Sequence, residues 1–263
     1  MRLEAGCELT FNMAAPTPMI LMLRPRSGYG QWIAREEYQL EPFVPVTEYT
    51  DGHGNLCQRV IAPAGRFAIR TSVVSEAADQ IDVAPGAPLT LAQDLPDGAL
   101  QFLLPSRYCE SDELGGLAIE IAAGATPGYD QAEAIRAWIH NNVEYRYGTS
   151  DSSTSAADTA QARVGVCRDY THLGMALCRA LSIPARMVVG YLYQLEPMDL
   201  HAWFEAYVGG RWYAFDATQN TPRGGRIVIA YGRDAADVAL TTQFGPATLE
   251  DMRVWVNGDK VTR

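Results

Sequence analysis

Residues 165–186 read GVCRDYTHLGMALCRALSIPAR, and this stretch predicts a helix that carries two cysteines. Leu173, Leu177 and Leu181 recur at every fourth position, which is the spacing of an apolar helix face. A proline then ends the run, because proline cannot continue a helix. A glycine and a valine precede the pattern, so Cys167 is predicted to lie at the helix N-terminus.

The position of Cys167 favours a reactive thiol. Unpaired backbone amides and the helix dipole favour negative charge at a helix N-terminus, and Arg168 adds a positive neighbour. Cys178 shares the helix face, but at 1.5 Å per residue it lies roughly 16 Å away and is predicted to be core. The remaining cysteines are expected to be structural or incidental: Cys7, Cys57 and Cys109.

A hairpin pattern supplies a candidate base and its partner. Residues 201–218, HAWFEAYVGGRWYAFDAT, alternate in polarity, and Gly209-Gly210 suits a two-residue turn that needs positive φ twice. With that turn, Asp216 shares the face of His201 as a diagonal neighbour, with backbone positions about 7–8 Å apart. A loop longer by one residue would place Asp216 on the other face.

These three side chains fit one reaction type. A cysteine at a helix end, a histidine on a strand and an aspartate on the next strand follow the nucleophile, base and orienting-group pattern of acyl transfer. The simpler interpretation is a half-buried hairpin whose His201 and Asp216 are incidental. A metal-binding Cys/His protein has little support, because neither a CxxC pair nor another ligand spacing occurs.

The strand and helix patterns divide the chain into three segments. Residues 1–82 show short strand patterns separated by turn signals and predict a small β-sandwich domain. Residues 83–98 are rich in proline and glycine and are predicted to be a linker. Residues 99–263 show helices followed by strands, which predicts an α+β domain with helices packed on an antiparallel sheet.

Composition limits the partners. The 263 residues carry a formal charge of −10, so a nucleic acid partner is not expected. No apolar stretch approaches the roughly 20 residues of a membrane span, and the first residues lack a signal-peptide layout. An odd cysteine count argues against a disulfide framework. We therefore expect a cytoplasmic protein that does not bind membranes.

The two quoted stretches, together with the residues between them, resemble the transglutaminase-like superfamily. The nucleophile, base and orienting blocks occur in the order Cys, His, Asp, and the resemblance covers roughly residues 100–232. The whole chain, with its β-rich start and the stretch LPSRYCESDEL at residues 104–114, is similar to the bacterial transglutaminase-like cysteine proteases.

The resemblance implies a papain-like core in which Cys167, His201 and Asp216 form a catalytic triad. Cys167 would attack an amide carbonyl, His201 would protonate the leaving amine, and water or an amine would resolve the thioester. Gln161 is similar to the oxyanion-hole glutamine of papain-like enzymes, beside the backbone N–H of Cys167. The chain has Ala217 where many members have proline, which changes the turn but not the expected role of Asp216.

The expected function is hydrolysis of peptide or isopeptide amide bonds, because water is the default acceptor for a thioester. Protein-glutamine amine transfer is one alternative, and a non-catalytic peptide-binding scaffold of the same fold is another. The expected partner is a peptide or protein substrate, and no cofactor is expected. No metal is expected either, since no EF-hand-like acidic loop occurs. No oligomeric state is predicted.

Overall fold

The computed structural model describes residues 1–28 and 30–258, and strands occupy the first third of the chain. Side chains of β1 point alternately inward and outward, as a strand requires, and Leu3, Leu9 and Phe11 are buried. The strands are β1 (Arg2–Met13), β2 (Thr17–Arg24), β3 (Gln31–Glu41), β4 (Thr47–Thr50), β5 (Leu56–Ala62) and β6 (Gly65–Ala77).

Helices dominate the middle of the chain, and the last third returns to strands. Short 3₁₀ turns occur at Ala92–Asp94 and Gln101–Leu103. The middle elements are α1 (Asp97–Leu100), α2 (Gly115–Ile121), α3 (Tyr129–Asn142), β7 (Glu144–Tyr145), α4 (Ala156–Ala162), β8 (Val164–Gly165) and α5 (Cys167–Ala180). The later strands are β9 (Ala185–Leu192), β10 (His201–Val208), β11 (Arg211–Phe215), β12 (Arg226–Gly232), β13 (Thr241–Gln243) and β14 (Ala247–Gly258). Within the described residues, no helix combines the length and apolarity needed to cross a membrane.

Two four-stranded antiparallel sheets form the β-sandwich. Their strand orders are β14-β1-β6-β3 and β13-β2-β5-β4, and their buried faces contribute to one hydrophobic core. Strands β13 and β14, which the sequence analysis assigned to the catalytic segment 99–263, pair here with β2 and β1. Hydrophobic alternation identifies a strand but not the sheet that it joins. The last five residues of that segment, 259–263, lie outside the described residues.

A third sheet, the core sheet, has the order β11-β10-β9-β12 and carries helix α5 on one face. Helix α5 is buried along most of its length, with Leu173 and Leu177 fully inaccessible. A Cβ added at Gly174 would lie 2.4 Å from the ring of Phe204 on β10, so glycine permits the close approach of helix and sheet. The α+β fold class is therefore confirmed.

The predicted hairpin is also present. Val208 pairs with Arg211 between β10 and β11, so the loop contains two residues. Those residues, Gly209 and Gly210, have φ of +57° and +84°, the left-handed region that glycine adopts without strain.

Two side-chain amides fasten the sandwich to the edge strand β12. The Gln31 amide donates to the Val228 carbonyl (2.9 Å) and accepts from its N–H (2.7 Å). The Asn55 amide does the same at Tyr231, with both distances 2.8 Å. Each amide therefore takes the place of a neighbouring strand and satisfies backbone groups at the edge of the core sheet.

We predict that Asn55→Ala lowers the free energy of unfolding by about 2 kcal/mol, because the change removes a buried amide and leaves the partly buried N–H and carbonyl of Tyr231 without that partner. Urea denaturation followed by tryptophan fluorescence measures this loss. The matched control is Asn12→Ala on β1, where the side chain is exposed and the expected change is within about 0.5 kcal/mol. Equal stability of the two variants would contradict the role of Asn55 in holding the sandwich against β12.

Candidate active site

Cys167 begins helix α5, and the local sequence explains why the helix starts there. The buried carboxylate of Asp169 accepts a hydrogen bond from the Val166 N–H at 2.8 Å, which satisfies a backbone donor at the helix start. A Cβ at position 165 would lie 2.7 Å from the Asp169 side chain, so this position requires glycine. Strand β8, which pairs in parallel with β7, leads the chain directly into this turn.

The five cysteines are free, and Cys167 alone among them is partly accessible. The other four are buried, as the sequence analysis expected for structural cysteines. Burial raises the pKa of Cys7 to about 11 and the pKa of Cys109 to about 12, and it also raises the pKa of Cys178 and Cys57. These four thiols are therefore poor nucleophiles at neutral pH.

His201 and Asp216 meet as the hairpin register predicts. Strand β10 begins with His201 and Asp216 directly follows β11, and the two side chains are 2% and 5% exposed. The distance from His201 Nε2 to Asp216 Oδ2 is 2.8 Å. The imidazole and the carboxylate are thus held together out of contact with water.

The Asp216 carboxylate has two further partners. Arg226 Nη2 donates to its Oδ2 at 2.9 Å, and Thr218 donates to its Oδ1 from the hydroxyl at 2.7 Å and from the N–H at 3.1 Å. Helix α3 holds the same turn, because Arg136 donates to the Gln219 carbonyl at 2.9 Å. The carboxylate therefore has almost no freedom to move away from the imidazole.

This environment decides the charge of the pair. Burial alone lowers the pKa of His201, but the charge of Asp216 and its hydrogen bond outweigh burial and raise the pKa to about 9. Burial raises the pKa of the Asp216 carboxyl, whereas the imidazole and Arg226 hold that pKa well below its usual range. At neutral pH the pair is an imidazolium beside a carboxylate.

The thiol of Cys167 lies beside the ring of His201 and, together with Asp216, raises the pKa of that imidazole. Because Nε2 faces Asp216, the other ring nitrogen, Nδ1, is the one available to the sulfur. Both side chains line an open cavity of about 430 Å³. The thiol, imidazole and carboxylate thus form one series of contacts that can pass a proton between the sulfur and a molecule in the cavity.

The structure does not bring Gln161 into this series. Its side chain is exposed near the C-terminal end of α4, and it is not among the described residues that line the cavity of Cys167. The chain turns at Arg163, which has φ of +57°, and then runs through β8 before reaching Cys167. The spacing of six residues therefore does not bring this glutamine into the cavity of Cys167, and its expected oxyanion role stays a prediction without support from the cavity lining.

Tyr145 and Arg226 are two neighbours of the site that the sequence analysis missed. The side chain of Tyr145 lies near Cys167, and burial together with the nearby thiol raises the pKa of this tyrosine. Tyr145 reaches this position because it pairs with Gly165 in the β7–β8 ladder. An aromatic alternation in the stretch VEYRYG is the only sequence signal for it, and Arg226 has none, since it lies on another strand.

Among residues 1–28 and 30–258, no three His, Cys, Asp or Glu side chains are grouped closely enough to hold a metal ion. A second cavity, of about 630 Å³, lies on the other face of the core sheet and is lined by Trp203, Trp212 and Arg226. The reactive sulfur does not line that cavity, so the smaller one is the candidate substrate cleft.

Comparison with known proteins identifies the family. Residues 115–217 match the model of the transglutaminase-like superfamily. The crystal structure of a "putative cysteine protease" from Cytophaga hutchinsonii is 37% identical and superposes with a TM-score of 0.87. That match covers 98% of this chain and 90% of the other. The chain belongs to the transglutaminase-like superfamily.

Mycobacterial relatives of this transglutaminase-like protein extend the comparison. An uncharacterized protein of Mycobacterium leprae is 26% identical over 250 residues, which is 90% of this chain and 86% of the relative. An uncharacterized protein of Mycobacterium tuberculosis is 34% identical over 115 residues, which is 38% of this chain and 37% of the relative. The transglutaminase-like core and its likeness to the Cytophaga protein place the chain among papain-like cysteine enzymes.

We predict that the imidazole of His201 stays protonated up to a pH of about 9, because the Asp216 carboxylate lies 2.8 Å from it. NMR titration of the four histidine rings measures this pKa, with His201 assigned from its absence in His201→Gln. In Asp216→Asn the pKa of His201 is expected to fall, because the charge that raises it most is removed while burial still lowers it. The control Asp237→Asn removes the carboxylate beside His53 and should leave His201 unchanged.

The same shift sets the sign of the pH dependence of stability. A histidine whose pKa is raised from 6.5 to about 9 on folding contributes its full stability below pH 6.5 and loses it as pH rises through about 9. A His201 ring that titrates near 6.5 in the native protein would contradict the charged pair.

Proposed function

We propose that the protein is an acyl-transfer enzyme with a cysteine nucleophile that hydrolyses peptide or isopeptide amide bonds. The contact series of Cys167, His201 and Asp216 at an open cavity carries this proposal. The three side chains would serve as nucleophile, acid–base group and orienting group. The likeness to the Cytophaga protein named as a cysteine protease supports the same reaction class.

The first half of the reaction forms a thioester. The Cys167 sulfur attacks the carbonyl carbon of the substrate, and a C–S bond forms as the carbonyl oxygen becomes an oxyanion. The imidazolium of His201 gives its Nδ1 proton to the leaving nitrogen, so the C–N bond breaks and the amine departs. Asp216 remains ionised and holds the ring in place throughout.

The second half releases the acid. His201, now neutral, accepts a proton from a water molecule, and the resulting hydroxide attacks the thioester carbonyl. The C–S bond breaks, a carboxylic acid leaves, and the thiolate faces an imidazolium again. An amine in place of water would give transamidation from the same thioester, which is the alternative outcome.

The oxyanion needs hydrogen-bond donors close to the sulfur. The backbone N–H of Cys167 is one, and the Tyr145 side chain lies near the same residue. A substrate carbonyl oxygen that accepts from this N–H would lie close to the Tyr145 hydroxyl, which can donate to the same oxygen. We assign Tyr145 as the second donor of the oxyanion site.

The test is to trap the acyl-enzyme. Incubation with a p-nitrophenyl ester of an acylated amino acid should add one acyl group per chain, detected by intact-protein mass spectrometry and located on Cys167 by peptide mapping. Cys167→Ala should give no adduct. His201→Ala should slow turnover of an amide substrate on the order of 10⁴-fold while the protein remains folded.

The matched control is Cys57→Ala, which removes a buried thiol of the sandwich and should leave the adduct unchanged. Decay of the adduct in ¹⁸O-labelled water with added glycinamide then separates the two outcomes, because hydrolysis incorporates ¹⁸O and transamidation yields the glycinamide conjugate. An adduct on another cysteine, or full amide turnover by His201→Ala, would refute the proposed triad.

A further inference from the structure

We infer that the cavity beside Cys167 binds an uncharged aliphatic side chain of the acyl donor. This inference rests on the proposed function and names its substrate class. We call the cavity the aliphatic pocket. The side chains that define it come from β9, from the start of β10 and from the loop after β12: Met187, Val189, Leu200, Val238, Ala239 and Leu240.

The wall of the aliphatic pocket suits hydrocarbon. Val189 is 7% exposed and Val238 is 3% exposed, so these side chains are fixed within the core while still lining the cavity. The cavity volume of about 430 Å³ is much larger than the volume of one water molecule, and it admits a branched or linear aliphatic chain. Burying such a chain removes apolar surface from water on both sides of the contact.

The polar groups at the rim are already engaged with the protein. The Tyr108 hydroxyl donates to the Ser152 carbonyl at 2.8 Å, and Arg168 donates to the Asp151 carbonyl at 2.6 Å. Arg168 also lies 3.4 Å from the carboxylate of Asp169. Among the described lining residues the cations are Arg168 and the His201 imidazolium, which are paired with Asp169 and Asp216, and no carboxylate lines the cavity. A charged substrate side chain would therefore be desolvated without an unpaired counter-charge, which disfavours binding.

A buried polar frame holds the pocket in shape. The Asp234 carboxylate, 1% exposed, accepts the Tyr108 N–H and the Ala236 N–H, both at 2.9 Å. It thereby ties residues 104–110 to the loop that carries the aliphatic wall. Through this contact the stretch LPSRYCESDEL, which does not contain the triad, acquires a role as one wall of the pocket.

His172 and Arg179, both on α5, complete the frame. The ring of His172 stacks on Tyr108 with centroids 5.1 Å apart, and its Nε2 accepts the Ala235 N–H at 3.2 Å. Burial lowers the pKa of His172 to about 3, so the ring remains a neutral acceptor. Arg179 donates to the Ser106 hydroxyl at 2.9 Å and to the Arg233 carbonyl.

The far end of the wall is anchored on the sandwich. The Met22 N–H of β2 donates to the Leu240 carbonyl at 2.9 Å, so the loop after β12 is held at both ends. The width of the pocket is therefore set by three separate elements that do not depend on a bound substrate. A pocket built in this way discriminates by shape and polarity instead of adapting to its ligand.

The test uses N-substituted chloroacetamides as probes, since they report binding at the sulfur whichever acceptor resolves a thioester. The thiolate of Cys167 attacks the chloromethyl carbon, the C–S bond forms, and chloride leaves with the electron pair of the C–Cl bond. Probes with N-methyl, N-butyl, N-(2-carboxyethyl) and N-(2-trimethylammonioethyl) groups are compared. Each rate, measured by intact mass, is divided by the rate with glutathione to remove intrinsic reactivity.

The N-butyl probe should alkylate Cys167 at least tenfold faster than the N-methyl probe, because each buried methylene contributes a factor of roughly four. The two charged probes should show no such gain. Ala239→Trp fills the pocket and should reduce the N-butyl preference to below about threefold. Its matched control, Ala236→Trp, changes an exposed residue of the same loop and should keep the preference.

The outcomes separate the two proposals. Equal rates for the butyl and charged probes at a reactive Cys167, or an unchanged preference in folded Ala239→Trp, would overturn the aliphatic pocket and leave the proposed function standing. Failure of every probe to label Cys167 faster than the other cysteines would overturn the proposed function and the pocket with it. Folding of each variant is checked by circular dichroism.

Discussion

The charge of the Asp216 carboxylate, buried at the end of β11, is the constraint on which the site depends. A buried carboxylate is unfavourable unless it is paired and hydrogen-bonded, and here it accepts bonds from His201, Arg226 and Thr218. Those partners keep it ionised, and the ionised form in turn keeps the imidazole protonated beside Cys167. The charge of the imidazole beside the Cys167 sulfur therefore depends on the hydrogen bonds of the Asp216 carboxylate.

The sandwich contributes to this arrangement through a strand that both halves of the molecule share. Arg226 opens β12, and two residues later Val228 is held on both backbone groups by the Gln31 amide. Asn55 repeats the contact at Tyr231. The position of the Arg226 guanidinium beside Asp216 therefore depends on docking of the sandwich against β12. The strands that follow β12 connect the two halves a second time, because β13 pairs with β2 and β14 pairs with β1 of the sandwich.

Local patterns in the sequence predicted the features of the site that are set by neighbouring residues. The helix start at Cys167 follows from leucines at every fourth position and the Gly-Val that precedes them, and the meeting of His201 with Asp216 follows from a two-glycine turn and strand alternation. Features set by distant packing were missed or misplaced. Arg226 reaches Asp216 from β12, which lies at the opposite edge of the core sheet from β11. The other strands of the sheet that β14 joins end at least 170 residues before β14 begins. Gln161, whose role came from a spacing in the resemblance, is exposed and does not line the cavity, because the chain turns at Arg163 before it reaches Cys167.

The most direct test of the account measures whether the reactivity of Cys167 depends on Asp216. The rate at which iodoacetamide alkylates Cys167 at pH 7 is measured by mass spectrometry in the unaltered protein and in Asp216→Asn, with circular dichroism to check folding. The account predicts that Cys167 is labelled faster than the four buried cysteines and that Asp216→Asn slows its labelling at least about tenfold. Equal labelling of all five cysteines, or an unchanged rate in folded Asp216→Asn, would contradict the central claim.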